Sequence, residues 1–90
     1  MRRDSGTMSI PTAVEARFEE DGRLIPLAFH WQGQRMPITS WGRTWVTGQG
    51  DKKFYHYLVM TVGERVCELT FEPRSLCWHV IQRRAREAVA

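Results

Sequence analysis

Aromatic residues at alternating positions, followed by a glycine turn, constrain the fold of this chain more than any other feature. Phe29 and Trp31 stand two positions apart, Gly33 follows, and Met36 and Ile38 again stand two apart. Side chains two apart lie on the same face of a β-strand, so the pattern predicts a hairpin with one apolar face. A two-residue turn that begins at Gly33 would place Phe29 opposite Ile38. We therefore expect the core to be built around this hairpin.

A second hairpin precedes the first. Apolar and charged residues alternate from Val14 to Phe18, and Asp21-Gly22 supplies the residue types of a two-residue turn. This turn would place Phe18 opposite Ile25 and Val14 opposite Phe29. The apolar face of the first hairpin would then continue onto a third strand.

The second half of the chain repeats this pattern around Gly63-Glu64, another dipeptide suited to a hairpin turn. That turn would place Leu58 opposite Leu69 on the core side. A four-residue connection at residues 72–75 would then bring Trp78 opposite Leu69 on a further strand. Three more strands would share one core face.

These strands predict an all-β fold: a small antiparallel meander of about six strands, curled into an SH3-like barrel. We expect a flexible N-terminal arm at residues 1–12, a single barrel domain at residues 13–82 and a basic C-terminal tail at residues 83–90. The composition of the tail is compatible with a short helix. A length of 90 residues leaves room for one domain.

The face opposite the predicted core carries more apolar residues than a fully hydrated surface does. We expect this patch to be covered by a protein partner or by a second copy of the chain. The predicted interface residues are Tyr55, Tyr57, Val59, Val66, His79 and Ile81.

Cationic and aromatic residues are interleaved near the centre of the chain. Cations attract phosphates and aromatic rings stack on bases, so this composition suits single-stranded nucleic acid. An alternative is that the tryptophans seal one end of the barrel while the cations are solvated. The candidate nucleic-acid residues are Arg35, Trp41, Arg43, Trp45, Lys52 and Lys53. A net charge of +3 permits a polyanionic partner without requiring one.

Catalytic and metal signatures are not recognisable in the sequence. The predicted register puts Cys67 on the core face and both Cys77 and His79 on the other, which argues against a shared metal ion and against a disulfide. Glu68 and His79 would form an ordinary cross-strand pair. We therefore expect no enzymatic activity, no metal and no cofactor. The chain shows no apolar run long enough to span a bilayer and no signal-peptide pattern, so we expect a cytoplasmic protein.

Several of these residues also carry a resemblance that covers most of residues 14–81. They are Phe29-x-Trp31-x-Gly33-x-Arg35, Ile38, Trp45, Val66-Cys67-Glu68-Leu69 and Trp78. The arrangement resembles the signature of a small uncharacterised bacterial domain family, a domain of unknown function. The chain departs from it at Gln32 and Gln34, where that family has arginines, and at Met36, where it has tyrosine. Members often accompany Y-family error-prone DNA polymerases.

Two functions remain open at this point. The resemblance implies a non-enzymatic accessory or adaptor domain in DNA repair or translesion synthesis, with a contact to nucleic acid. The alternative is a protein-interaction module or a homodimer that does not bind nucleic acid.

Overall fold

Seven β-strands are the regular elements of the structure, a computed structural model that describes residues 9–83. The strands are β1 (Ile10–Thr12), β2 (Val14–Phe18), β3 (Leu24–Trp31), β4 (Gln34–Gln49), β5 (Lys52–Thr61), β6 (Arg65–Glu72) and β7 (Cys77–Arg83). The predicted all-β meander is confirmed, with seven strands in place of six. The predicted arm lies outside the described residues up to position 8, and the tail with its helix-compatible composition does so from position 84.

The strands form one antiparallel sheet in the order β1-β7-β6-β5-β4-β3-β2. β1 and β2 stand at its two edges but are separated only by Ala13, whose carbonyl oxygen accepts a hydrogen bond from the His30 amide at 3.1 Å. The N-terminal segment therefore joins the two edges, and the sheet curls into a barrel-like shape. This corrects the predicted boundary of the arm, because residues 10–12 form a strand that pairs with β7.

Strands β3 and β4 are hydrogen-bonded to each other at one end of the barrel and separate at the other end. β3 pairs with β4 from Ala28–Pro37 to Trp31–Gln34, whereas Leu24–Pro26 pair with β2 alone among the described strands and Leu27 lies at the irregularity of that ladder. We call the end with the β3–β4 turn the closed end. The open end carries the β2–β3 turn, the tip of the β4–β5 hairpin and the β6–β7 loop. Residues 16–27, which leave the sheet at the open end, are called the flap.

The core lies on one face of the curled sheet and includes the aromatic hairpin that the sequence predicts. Its centre consists of Phe29, Ile38, Val59, Cys67, Leu69 and Val80. Partly buried apolar residues pack around this centre: Val14, Trp31, Met36, Tyr57 and Trp78. We call this the inner face and the opposite one the outer face.

The predicted register of the β2–β3 hairpin is correct at its Val14 end and wrong near its turn. Val14 lies opposite Phe29 as expected, but an irregularity between Glu15 and Ala16 shifts the remaining pairs, so that Phe18 meets Leu24. The turn is also longer than two residues, because the Glu19 amide donates to the carbonyl oxygen of Arg23. Phe18 is consequently 71% exposed and is not a core residue.

The face assigned to β5 is wrong for a similar reason. Three residues, not two, separate the paired Thr61 and Arg65, and both Gly63 and Glu64 have positive φ, at 82° and 59°. Because a shift of one residue turns every side chain to the other face, Tyr57 and Val59 point inward while Leu58 points outward. Leu69 therefore lies opposite Tyr57 and not opposite Leu58.

Two other registers differ from the prediction by two residues, which keeps the inner face unchanged. The β3–β4 turn consists of Gln32 and Gly33, so Phe29 lies opposite Met36. The β6–β7 loop spans residues 73–76, so Trp78 lies opposite Phe71.

Gly48 provides a sharp test of the β4–β5 tip. It has a φ of 89°, and a Cβ atom there would overlap the carbonyl oxygen of Lys52. A left-handed conformation costs a residue with a side chain roughly 1–2 kcal/mol, so we expect Gly48→Ala to lower the free energy of unfolding by about 2 kcal/mol once the overlap is added. Gly50→Ala is the matched control, since Gly50 has a φ of 62° with open space around it. Equal losses for the two variants in urea denaturation would contradict the proposed geometry.

Candidate functional site

A groove of about 950 Å³ lies between the flap and the rest of the sheet at the open end. One wall is the flap and the other is formed by β4, β5 and the β6–β7 loop. The groove is an extension of the inner face, because Val46 lies opposite Tyr55 on the side of the sheet that carries the core. Its apolar lining includes Phe18, Trp41, Val46, Tyr55, Phe71 and Leu76.

The exposed apolar side chains of the described region are concentrated in this groove. Five of its eight large exposed hydrophobic residues line it. Leu76 is 73% exposed, and its φ of 61° places it in a tight loop without packing it against the core. Contiguous apolar surface of this kind marks binding sites more often than scattered exposed residues do. The concave open end is therefore the strongest candidate site.

One specific contact joins the two walls of the groove. The indole N–H of Trp41 donates a hydrogen bond of 2.8 Å to the carbonyl oxygen of Pro26. The ladder between β3 and β4 ends at Ala28–Pro37, and irregularities in the pairing of β4 with β5 follow Ile38 and Trp41. Such bulges bend a strand and re-aim its side chains. The wedge between β3 and β4 follows from this bend.

Charge in the groove is of one sign. Arg17 and Arg23 contribute to its lining, and no aspartate or glutamate is among its described lining residues. Each arginine pairs with a carboxylate on its own hairpin, Arg17 with Glu19 at 2.5 Å and Arg23 with Asp21 at 2.9 Å. The backbone N–H and the guanidinium of Arg23 both donate to Asp21 and hold its pKa below the ordinary value. Both arginines are more than half exposed, so these pairs contribute little stability.

A hydrogen-bonded network lies on the outer face, on the other side of the sheet from the groove floor. Glu68 has only 6% of its side chain exposed, and Arg83 donates to its Oε1 from Nε at 3.0 Å. His56 Nδ1 lies 2.9 Å from Oε2 of Glu68, and Nε2 lies 2.8 Å from the Thr47 hydroxyl. A carboxylate only accepts, so Nδ1 donates to Glu68, and in a neutral imidazole Nε2 accepts from the Thr47 hydroxyl.

This hydroxyl, imidazole and carboxylate chain has the connectivity of a nucleophile, a base and an orienting acid. Catalysis would also require a group that binds an oxyanion and a cleft that holds a substrate beside the hydroxyl. Thr47 instead lies on the outer face of a paired strand, opposite Phe54, while the large groove opens on the inner face. We interpret the network as a device that stabilises the outer face.

Trp45 extends the outer-face network towards solvent. Its ring stacks on His56 with centroids 5.0 Å apart and an interplanar angle of 4°, and the Arg43 guanidinium lies 4.6 Å from the Trp45 ring centroid. A small cavity of about 260 Å³ is lined by Arg43, Trp45, Leu58, Glu68 and Arg83. The structure thus brings Arg43 and Trp45 into direct contact.

The other candidate nucleic-acid residues lie elsewhere on the sheet. Arg35 lies beside the turn at the closed end, where Nε donates to Glu15 at 2.6 Å and lowers the pKa of that carboxyl group. Trp41 lines the groove on the inner face. Lys52 and Lys53 begin β5 at the open end and point to opposite faces. The single cluster that the sequence predicts is therefore divided among four places: the Arg43–Trp45 pair, the closed end, the groove and the start of β5.

The predicted interface patch is also divided. Tyr57 and Val59 belong to the inner face and pack in the core, and Tyr55 lines the groove. The remaining residues lie on the outer face: Val66 is buried, and His79 and Ile81 are half-buried. His79 lies opposite Thr70, while Glu68 lies opposite Ile81, which corrects the predicted Glu68–His79 pair. Whether any of these residues contacts a partner stays a prediction.

The two cysteines are free thiols in different environments. Cys67 is completely buried, and burial raises the pKa of its thiol to about 11, whereas Cys77 is exposed. Among residues 9–83 no group of three or more metal-ligating side chains comes together.

Sequence reasoning missed the groove residues Phe18, Val46 and Leu76. A partial signal was present in Pro26 and Pro37, because a proline cannot donate to a ladder and so weakens pairing between the strands that carry it.

Comparisons with known proteins add no identity. A scan against protein-family models, a search of curated proteins and a search of solved structures each found no match to this chain. In the described part of the chain, no helix is long and apolar enough to cross a membrane. Function is therefore argued from the geometry of the groove and of the outer face.

Proposed function

We propose that the protein is a non-enzymatic interaction module that holds an extended segment of a partner protein in the groove at the open end. The observation that carries this proposal is the concentration of five exposed apolar residues in one concave site bordered by unpaired strand edges. Peptide segments bind such sites through apolar anchors in pockets and through backbone hydrogen bonds. A flat apolar patch would offer neither.

The groove fits a peptide better than a second folded barrel. Its walls converge from the open end towards the first β3–β4 pair, Ala28–Pro37, so the groove narrows away from the open end. The cationic lining at Arg17 and Arg23 favours a segment that carries a carboxylate. An adaptor role in DNA repair or translesion synthesis, which the resemblance implies, would require such a site for a partner protein.

Selection from a random heptapeptide library tests this proposal. We expect enriched peptides to bind the wild-type protein and to bind Val46→Asp at least tenfold more weakly, because the new carboxylate would stand on the apolar floor of the groove. Val62→Asp is the matched control, since Val62 is 67% exposed at the closed end and Val46 is 54% exposed in the groove. Both variants should unfold near the wild-type midpoint.

A selection that enriches no peptide, or peptides whose affinity falls equally with Val46→Asp and Val62→Asp, would show that the groove does not capture an extended segment.

A second candidate function, binding of single-stranded nucleic acid, is favoured by the contact between Arg43 and Trp45. Lys52 and Phe54 share the outer face with this pair, so that two aromatic rings lie between two cations along the β4–β5 hairpin. Bases stack on such rings while phosphates neutralise the cations.

A salt titration with labelled oligothymidylate tests this second function. We expect log K to fall linearly with log salt, and Arg43→Ala to reduce the slope by about 0.7, the contribution of one phosphate contact to a single strand. Arg65→Ala, an exposed change at the closed end, should leave the slope unchanged. Binding absent at low salt, or a slope insensitive to Arg43, would eliminate this function.

A further inference from the structure

Two strand edges border the groove, and they differ in what they offer a ligand. On the flap side, the edge of Leu24–Leu27 is impaired, because Pro26 has no N–H and its carbonyl oxygen already accepts the Trp41 indole. On the other side, β4 pairs with β5 along one edge and meets no strand along the other from residue 41 to residue 49 in the described structure. Free hydrogen-bonding groups are therefore available on β4.

The usable part of the β4 edge is short and well defined. Its pairing with β5 is continuous from Thr44–Tyr57 to Gln49–Lys52, after the irregularity that follows Trp41. Gly48 then departs from extended geometry with a φ of 89°. Four consecutive residues in regular strand geometry remain, which corresponds to about 13 Å of extended chain.

The side-chain environment along this edge alternates. A strand added beside Thr44–Thr47 would direct every second side chain onto the groove floor, where Tyr55, Tyr57 and Phe71 lie. The intervening side chains would lie on the outer face next to Trp45 and Thr47. The site therefore selects apolar residues at alternate positions of the segment and tolerates polar residues between them.

We infer that the groove binds its partner by β-strand addition to residues 44–47 of β4, and that the segment carries alternating apolar residues and a carboxylate at the end nearest the flap tip. This inference rests on the proposed function, because it specifies how the same groove takes its ligand. The carboxylate follows from Arg17 and Arg23 in a lining that contains no described acidic residue. Arg17 pairs with the half-buried Glu19 and Arg23 with the exposed Asp21, each on its own hairpin.

The test uses synthetic peptides taken from the library selection, each with two N-methylated analogues. One analogue carries N-methyl groups at odd positions and the other at even positions, so side chains are unchanged while alternate backbone donors are removed. Only one set faces β4 in an added strand. We expect one analogue to lose at least tenfold in affinity and the other to bind within about twofold of the parent.

Hydrogen exchange on the isotope-labelled full chain identifies the edge. On peptide binding, we expect alternate amides within residues 44–47 to gain at least tenfold protection, while the amides of Leu24, Ile25 and Leu27 change little. Replacing the acidic residue of the peptide by its amide should weaken binding to wild type and have no effect on binding to an Arg17→Gln/Arg23→Gln variant.

Each outcome decides separately between the inference and the proposed function. Equal affinity of the two N-methylated analogues, or protection confined to the flap amides, would overturn strand addition while leaving a peptide-binding groove. Failure to select any peptide would remove both. Self-association that produces the same protection without peptide would instead assign the β4 edge to a second copy of the chain.

Discussion

Replacing Phe29 by alanine is expected to lower the free energy of unfolding by about 3–5 kcal/mol, the range for truncating a buried phenylalanine. Phe29 is completely buried and belongs to the centre of the core. It also lies where β2, β3 and β4 are all paired, with Val14 on one side and Met36 on the other. A domain of this size has about 5–15 kcal/mol of stability in total, so the variant should be largely unfolded in mild denaturant.

Phe18→Ala is the control, because it removes the same side chain from an exposed position. The sequence pattern places both phenylalanines on one apolar face, but Phe18 is 71% exposed in the groove. We expect its replacement to change the free energy of unfolding by less than about 1 kcal/mol, as for most surface substitutions. Urea denaturation followed by tryptophan fluorescence measures both. Similar losses for Phe18→Ala and Phe29→Ala would mean that the observed register of the β2–β3 hairpin is wrong.

Trp31 is expected to be more tolerant than its place in the aromatic hairpin suggests. It packs against the core but is only half-buried, and its indole N–H is the one buried side-chain donor without a partner in the described residues. Leaving such a donor unpaired has an energetic cost. The sequence pattern places Trp31 and Phe29 on one apolar face, but the structure favours a smaller loss of stability for Trp31→Ala than for Phe29→Ala.

The inner face of the first half of the chain could be predicted because its main register error preserves parity. The β3–β4 turn is Gln32-Gly33 where the sequence suggested Gly33-Gln34, so Phe29 meets Met36 and not Ile38. A shift of two residues keeps every side chain on its face. The aromatic alternation therefore identified the core correctly although the pairs were wrong.

The faces of β5 could not be predicted, because both of them are apolar. Leu58 and Val59 are adjacent and both are buried, so alternation does not choose between them. The choice depends on whether the β5–β6 loop contains two or three residues, and Gly63-Glu64 is compatible with either.

The groove could not be predicted from the sequence for a different reason. It arises where a ladder stops, at Ala28–Pro37, and strand patterns carry little information on where pairing between two long strands ends.

Glu68 is the second position where a large loss is expected, although it lies on the outer face. Its carboxylate is nearly buried and interacts with both His56 and Arg83. Removing one partner of a buried charged pair typically costs about 3–5 kcal/mol, because the other group is left without compensation. Since one third of the Arg83 side chain is exposed to solvent, we expect Glu68→Ala to fall at the lower end, at about 3 kcal/mol.

Glu68→Gln distinguishes charge from hydrogen bonding in this network. Glutamine keeps the length and one acceptor for Arg83 but lacks the charge and the second acceptor, so a loss of about 1–2 kcal/mol is expected. The exposed Glu20→Gln should be neutral and controls for the change in net charge. A double-mutant cycle with His56→Ala then measures the direct Glu68–His56 coupling, which we expect to be at least 1 kcal/mol for contacting buried groups. Additive losses would show that Glu68 and His56 are not coupled, and a Glu68→Ala variant as stable as wild type would show that the outer-face network does not stabilise the sheet.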